Sequence, residues 1–294
     1  MLTRVTNQTL MMSAQQNLAA NKTDLARLQD QAADLKAIRR PSDNPSGTAS
    51  SLQVRGQQAA ASQYERNIGN GRGWLASIDT ALSHATDILR RVKDLTLQGS
   101  SGTVSATGRE GIALELEGLR KDLLGQANAS FMGRNVFAGN TNAGSAFTDT
   151  APPVFNGTGS SVTRRVADGT TVRVDADGAT VFGVGPGSAF DLIDTIVSDL
   201  RSGADPKPNL AAIDQRVHTI LTQHAEVGSR DAQILRAQEV NMQQQGALEA
   251  QRTEIEDVDR GKAFLELQLQ QTNYSAALAV TAKVLPQSLM DFLR

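Results

Sequence analysis

Few side chains in this sequence occur in numbers or spacings that do chemistry. His84, His218 and His224 are the only histidines, and none has the i+4 partner of a helical zinc pair. There is no cysteine, which excludes thiolate catalysis, disulfides and Cys-ligated metals. Gly99-Ser100-Ser101-Gly102 lacks the Gly-x-Ser-x-Gly pattern of a nucleophile elbow and reads as a loop. Gly69, Gly71 and Gly73 suggest a phosphate loop, but they follow no strand and lie inside a helical period. Close helix contact is the better reading. Asp175-Ala176-Asp177-Gly178 opens like a calcium loop without the later acidic ligands, so a hairpin turn is expected. Glu254, Glu256, Asp257 and Asp259 read as a solvated helix face. The sequence therefore predicts no catalytic residue, no metal site and no cofactor.

What it does carry is seams. Ile213, Ile220, Val227 and Ile234 recur every seventh residue, and the phase continues through Asn241, Leu248, Ile255, Lys262, Leu269 and Ala276. Val217, Leu221, Val258 and Leu265 flank the same stripe. A sustained heptad predicts one long helix over 213–279 with a narrow seam for other helices. Asn241, Lys262, Gly228, Gly246 and Gly261 weaken it, and a helix draws most of its stability from packing. A second seam reads Met11, Ala14, Leu18, Asn21, Leu25, Leu28, Ala32 and Leu35, closed by Lys36, Arg39 and Arg40. In Pro41-Ser42-Asp43-Asn44-Pro45, Asn44 can cap a new helix with Pro45 at its first position. Ile68, Gly71, Leu75, Ile78, Leu82, Ala85, Leu89 and Val92 form a third stripe. Ile112, Leu116, Leu119, Leu123 and Ala127 form a fourth.

Composition changes at Gly133. Two β-branched runs around Asp168-Gly169 predict a hairpin, and 179–183 reads as a third strand. Phe190, Ile193, Val197 and Leu200 return the chain to helix. The expected fold is mainly α with a small inserted β domain. It is an elongated antiparallel bundle with its N- and C-terminal helices paired at one end. Expected divisions are 1–44 with 253–294, 45–132 with 188–252, and 133–187.

The chain has 294 residues and a net charge of -2, so nothing attracts nucleic acid or anionic lipid at long range. The first residues lack an apolar core of signal-peptide length, and no stretch approaches a membrane span. A soluble cytoplasmic protein, or one exported without a cleaved signal, is expected. Empty chemistry and abundant seams point to assembly.

Several segments resemble the flagellin superfamily, and within it the proteins that join hook to filament. They are Lys36-Ala37-Ile38-Arg39-Arg40-Pro41-Ser42-Asp43-Asn44-Pro45, Gln63-Tyr64-Glu65-Arg66-Asn67, Trp74-Leu75, Gly133-Arg134-Asn135-Val136-Phe137-Ala138-Gly139, and Ser288-Leu289-Met290-Asp291-Phe292-Leu293-Arg294. The chain departs from the family pattern at Asn44, where an Asp is usual, and at Asn135, where an aromatic is usual. The resemblance implies a structural, non-enzymatic protein of the extracellular flagellum, exported unfolded after a cytoplasmic chaperone releases it. It implies partners: a ring of copies, hook-associated protein 1 and flagellin. A Cys-free chain suits passage between reducing and oxidising compartments. The terminal helices would order on assembly, with Leu18, Leu25, Leu28, Leu35, Ile255, Val258, Leu265, Leu269, Leu289, Phe292 and Leu293 as the assembly interface. A flagellin-like filament subunit and a cytoplasmic coiled-coil scaffold are the alternatives.

Overall fold

The structure, a computed structural model, describes residues 7–150 and 152–292, with the side chains of 7, 8, 10, 11 and 283–292 outside the description. The order is α1 (Asn7–Asp34), α2 (Pro45–Gly99), α3 (Ala106–Ala127), β1 (Ser130–Phe131), β2 (Arg134–Asn135), β3 (Thr163–Ala167), β4 (Thr170–Arg173), α4 (Gly178–Phe182), α5 (Ala189–Ser202), α6 (Leu210–Glu256) and α7 (Arg260–Phe292). The chain forms two compact units. One comprises Met1–Ala59 and Gln245–Arg294, the other Ala60–Gln244.

The Ala60–Gln244 unit holds one apolar core. The third stripe lies in it: Ile68, Leu75, Ile78, Leu82, Ala85, Leu89 and Val92 are all at most 2% exposed. Across from it Ile213, Ile220, Val227 and Ile234 are equally buried. α3 and α5 pack together, contributing Leu116 and Leu123 from the first and Phe190, Ile193 and Ile196 from the second. Full burial of each such side chain stabilises by about 1.5–3 kcal/mol. Gly71 meets Ile234 and Val174, and Gly73 meets Phe131, so these glycines serve close packing. Asn241 is buried on the seam and donates from Nδ2 to the Ala61 carbonyl at 3.1 Å.

The insert contributes to the same core rather than standing apart from it. Val136, Phe137, Phe147, Val166, Val174 and Phe182 belong to one buried cluster with the helices. Phe182 sits edge-on to Phe137 and Phe147 and stacks with Phe190 at 6.0 Å. β3 and β4 pair antiparallel as Thr163 with Arg173 and Arg164 with Val172, around Gly169 at φ 66°. The expected third strand is a helix instead. The Asp177 carboxylate accepts from the Ala179 and Thr180 amides, which starts a turn that ends at Gly183, φ 80°. The expected hairpin turn at 175–178 is this cap, preceded by a buried Asp175 that pairs with Arg173 at 2.9 Å. A second hairpin, β1–β2, is absent from the sequence reading. In the segment that follows, Gly139 has φ 64°, and a Cβ there would lie 2.5 Å from the Thr158 and Ser160 carbonyls.

The long helix is not continuous. α6 passes through Gly228 and Gly246 unbroken but stops at Glu256, and α7 begins at Arg260. The Asp259 side chain accepts from the Gly261 and Lys262 amides, capping α7 and satisfying donors that a helix start leaves orphaned. The interruption resets the phase. Leu248 remains on the buried row at 5% exposure, while Lys262, Leu269 and Ala276 are exposed. Leu221, expected beside the seam, is 40% exposed.

Candidate assembly interface

α1 and α7 pack against each other in the Met1–Ala59 and Gln245–Arg294 unit. Ala14, Leu18, Asn21, Leu25, Leu28 and Ala32 form the inward row of α1, as its heptad dictates. On α7 the inward row is Ala263, Leu267, Gln270, Tyr274, Ala277 and Thr281. Both rows alternate by three and four residues, the spacing of a coiled-coil seam. Gln270 Nε2 donates to the Asn21 carbonyl at 3.3 Å, which makes the pair antiparallel when taken with contacts between residues 35–37 and 256–258. The seam is thin. Leu28, 8% exposed, and Ala263, 3% exposed, are its well-buried members among the described residues. A cleft of about 630 Å³ opens beside Leu18, Asn21, Ala277 and Val280.

α7 carries a second apolar face. Leu265, Leu269 and Val280 are 56–60% exposed, and Ala276 lies in the same exposed row; Phe264, also exposed, projects from a different side of the helix. An ordinary surface helix has one apolar stripe. A helix with two, one already covered, has a face to offer.

Where α1 ends and α7 begins, the backbone is tied. Leu35 adopts φ 56°, the left-handed stop usually left to Gly or Asn. It thus closes α1 rather than extending the seam. Arg39, past the helix end, folds back onto Asp30 at 2.7 Å and Asp34 at 2.9 Å. The Ala37 amide donates to the Glu256 carbonyl at 2.7 Å, and the Val258 amide to the Leu35 carbonyl at 3.1 Å. Lys36 pairs with Asp257. Glu256 is not on a solvated face. Its side chain is 4% exposed and accepts from Ser51 Oγ at 2.5 Å and from Arg55 at 2.7 and 2.9 Å. Arg252 adds a contact at 3.2 Å and Lys36 one at 3.6 Å. The Arg55 bonds, reinforced by Ser51 and Arg252 against the cost of burial, hold the carboxylate down to about 2.

Of the residues expected at the interface, Leu18, Leu25 and Leu28 lie on the inner seam, and Leu265 and Leu269 on the open face. Leu35, Ile255 and Val258 are half-buried at the junction between the helices. The side chains of Leu289 and Phe292, and Leu293 altogether, lie outside the described residues. Sequence reasoning missed Phe264, Val280 and the Glu256 cluster. Asp259 two residues before Gly261 was the readable signal for a new helix start.

The histidines gather no chemistry. His84 lines a shallow cleft with Asp87, Lys121 and Asp122, His218 is exposed, and His224 bonds Asp79 at 2.5 Å. Among the described residues there is no cluster able to hold a metal ion and no helix long and apolar enough to cross a membrane.

The family description "Bacterial flagellin N-terminal helical region" matches residues 5–142, and "Bacterial flagellin C-terminal helical region" matches 210–293. The chain belongs to the flagellin family. Among its flagellin-family relatives, flagellar hook-associated protein 3 of Salmonella typhimurium is 22% identical over 317 aligned positions, covering 99% of this chain and 100% of that one. Flagellin FlaB2 of Treponema pallidum is 26% identical, over 87% of this chain and 88% of its own length. The fold matches the solved flagellar hook-associated protein 3 of Legionella pneumophila with a TM-score of 0.63 and 14% identity, over 69% of this chain and 98% of that one.

Proposed function

We propose that this chain is a structural component of the bacterial flagellum that joins hook to filament. Copies form a ring between hook-associated protein 1 and flagellin. Residues 1–44 and 253–294 build the inner tube, and the 133–187 segment lies outside it. The chain acts outside the cell, reached through the flagellar secretion channel after a cytoplasmic chaperone has held it unfolded. It performs no catalysis.

The observation that carries this reading is the second apolar face of α7. Leu265, Leu269 and Val280 are open to solvent in a single copy, on a helix whose other face is already paired. Covering each such side chain yields up to about 1.5–3 kcal/mol, a gain that adds to what the thin helix pair supplies toward its own ordering. The full-length match to hook-associated protein 3 favours the junction over other places in the flagellum.

The test replaces Leu28 and Leu269 together by Asp. The expected result is cells that export the protein but whose filaments do not attach, while the Ala60–Gln244 unit keeps its thermal transition. Normal motility would contradict the assignment of these faces. The similarity to treponemal FlaB2 supports a second reading, a filament subunit. Antibody labelling of intact flagella separates the two. A junction protein marks only the base of the filament, and a filament subunit marks its whole length.

A further inference from the structure

The α1–α7 seam does not by itself fix how far one helix slides along the other. It is thinly buried, with Leu28 and Ala263 its well-buried members among the described residues, and its α7 row mixes sizes: Ala263 is succeeded by Gln270 and Ala277, and Leu267 by Tyr274 and Thr281. Small or polar side chains take half of the α1 row and four of the six α7 positions, so the leucines of α1 face few large knobs. Sequences of this kind specify register weakly, and a polar contact on the seam is the usual remedy. Here the seam holds such a contact, Gln270 with Asn21.

A second restraint sits at the end of the pair. The end of α1 and the start of α7 are joined by the bonds between Ala37 and Glu256 and between Val258 and Leu35. That joint is anchored by the Glu256 carboxylate, which α2 grips through Ser51 and Arg55 and α6 through Arg252. Lys36 adds its bond to Asp257. Both helices therefore start from tied points, and their alignment follows.

We propose that Glu256 is a positioning residue for assembly: its cluster pins the axial register of α1 against α7, and so sets the height at which the open face of α7 is presented to a second copy. This rests on the reading of α7 as an assembly helix, but its test does not. A slip of one heptad would shift α7 by roughly 10 Å at 1.5 Å per residue. That displacement would cover part of the cleft by Ala277 and present the open face at the wrong height.

The absence of cysteine permits a clean measurement by disulfide trapping in the full-length chain. One variant carries Asn21→Cys with Gln270→Cys, the aligned pair. Another carries Asn21→Cys with Ala277→Cys, the pair that meets only after a heptad slip. The second variant also carries Gln270→Ala, so both lack the Gln270 bonds to residue 21 and the joint is the remaining pin. Trapping reads the docked state even when it is sparsely populated, so the outcome is independent of whether the ends are ordered before assembly. With Glu256 present the aligned pair should close on the order of tenfold faster, because the slipped pair lies beyond the roughly 7 Å Cα separation a disulfide can span. With Glu256→Ala, and separately with Arg55→Ala, the two rates should come within about twofold. Glu254→Gln, at an exposed neighbour, should leave the preference intact. The Ala60–Gln244 unit should melt unchanged in every variant. A preference that survives both alanine variants would overturn the proposal, even if both rates fell together. So would its absence in the chain with Glu256 intact.

Discussion

Glu256 has its carboxylate held at about 2, against an ordinary value of 4.5, chiefly by bonds from Arg55. A carboxyl depressed on folding adds stability that is complete above its unfolded value and lost as pH falls toward its folded one. The joint between the helices should therefore be at full strength above about pH 4.5 and weaken progressively toward pH 2. An acid titration of the full-length chain by circular dichroism tests this. Relative to the parent, Glu256→Gln should lose helix over a smaller amplitude in that window, because its side chain cannot take up the proton. Identical titrations would show that the cluster carries no stability. Lys36 and Asp257 bond beside it, while Arg55 and Arg252 both reach the one buried acid.

At the scale of elements, caps decide what the apolar pattern leaves open. The pattern at 179–183 fits a strand as well as a buried turn of helix, since short apolar runs do not distinguish the two. Asp177 settles it by taking the Ala179 and Thr180 amides. Asp177→Ala should cost about 1 kcal/mol, the usual worth of an N-cap, read as a lower thermal midpoint of the Ala60–Gln244 unit. An unchanged midpoint would mean that packing of Val181 and Phe182 alone fixes the turn.

The same distinction explains what was legible in the sequence. The third stripe, from Ile68 to Val92, was read residue for residue, because one clean amphipathic period admits one buried face. Asn44, bonding the Gly47 amide at 2.9 Å, and the hairpin at Asp168-Gly169 were read from local chemistry. The break at 257–259 was not, because the heptad pattern runs through it unchanged in letters while the helix does not. The heptad carried across the break points to Lys262, Leu269 and Ala276 where the structure turns Ala263, Gln270 and Ala277 inward, one residue out of phase. That error placed Lys262 and Leu269 on a buried seam and hid Ala263 and Leu267. It also left Leu265 and Leu269 among the interface residues, where their exposure supports an outer face. Glu256 was taken for surface because a run of acids reads as solvated, and its partners at Ser51 and Arg55 are distant in sequence.

At the scale of the whole molecule, burial is uneven. The Ala60–Gln244 unit encloses Trp74, Phe137, Phe147, Phe182 and Phe190, each at most 2% exposed. In the other unit, the buried apolar side chains among the described residues are Leu28, Val54, Leu248 and Ala263. Ordering a residue's backbone costs roughly 1–2 kcal/mol, which a well-filled core offsets and a thin helix pair offsets poorly. The middle of the chain can stand alone on these terms, and the two ends gain most from the further burial that the proposed assembly would supply. That division suits the proposed role, in which the ends become rigid only on assembly.

Limited proteolysis of the purified full-length chain, compared with the same protein in intact flagella, tests this most directly. The account predicts that the free chain is trimmed rapidly at both ends to a resistant fragment containing Ala60–Gln244, and that the assembled protein resists cleavage within α1 and α7. Ends that resist the protease equally well in the free chain would contradict it.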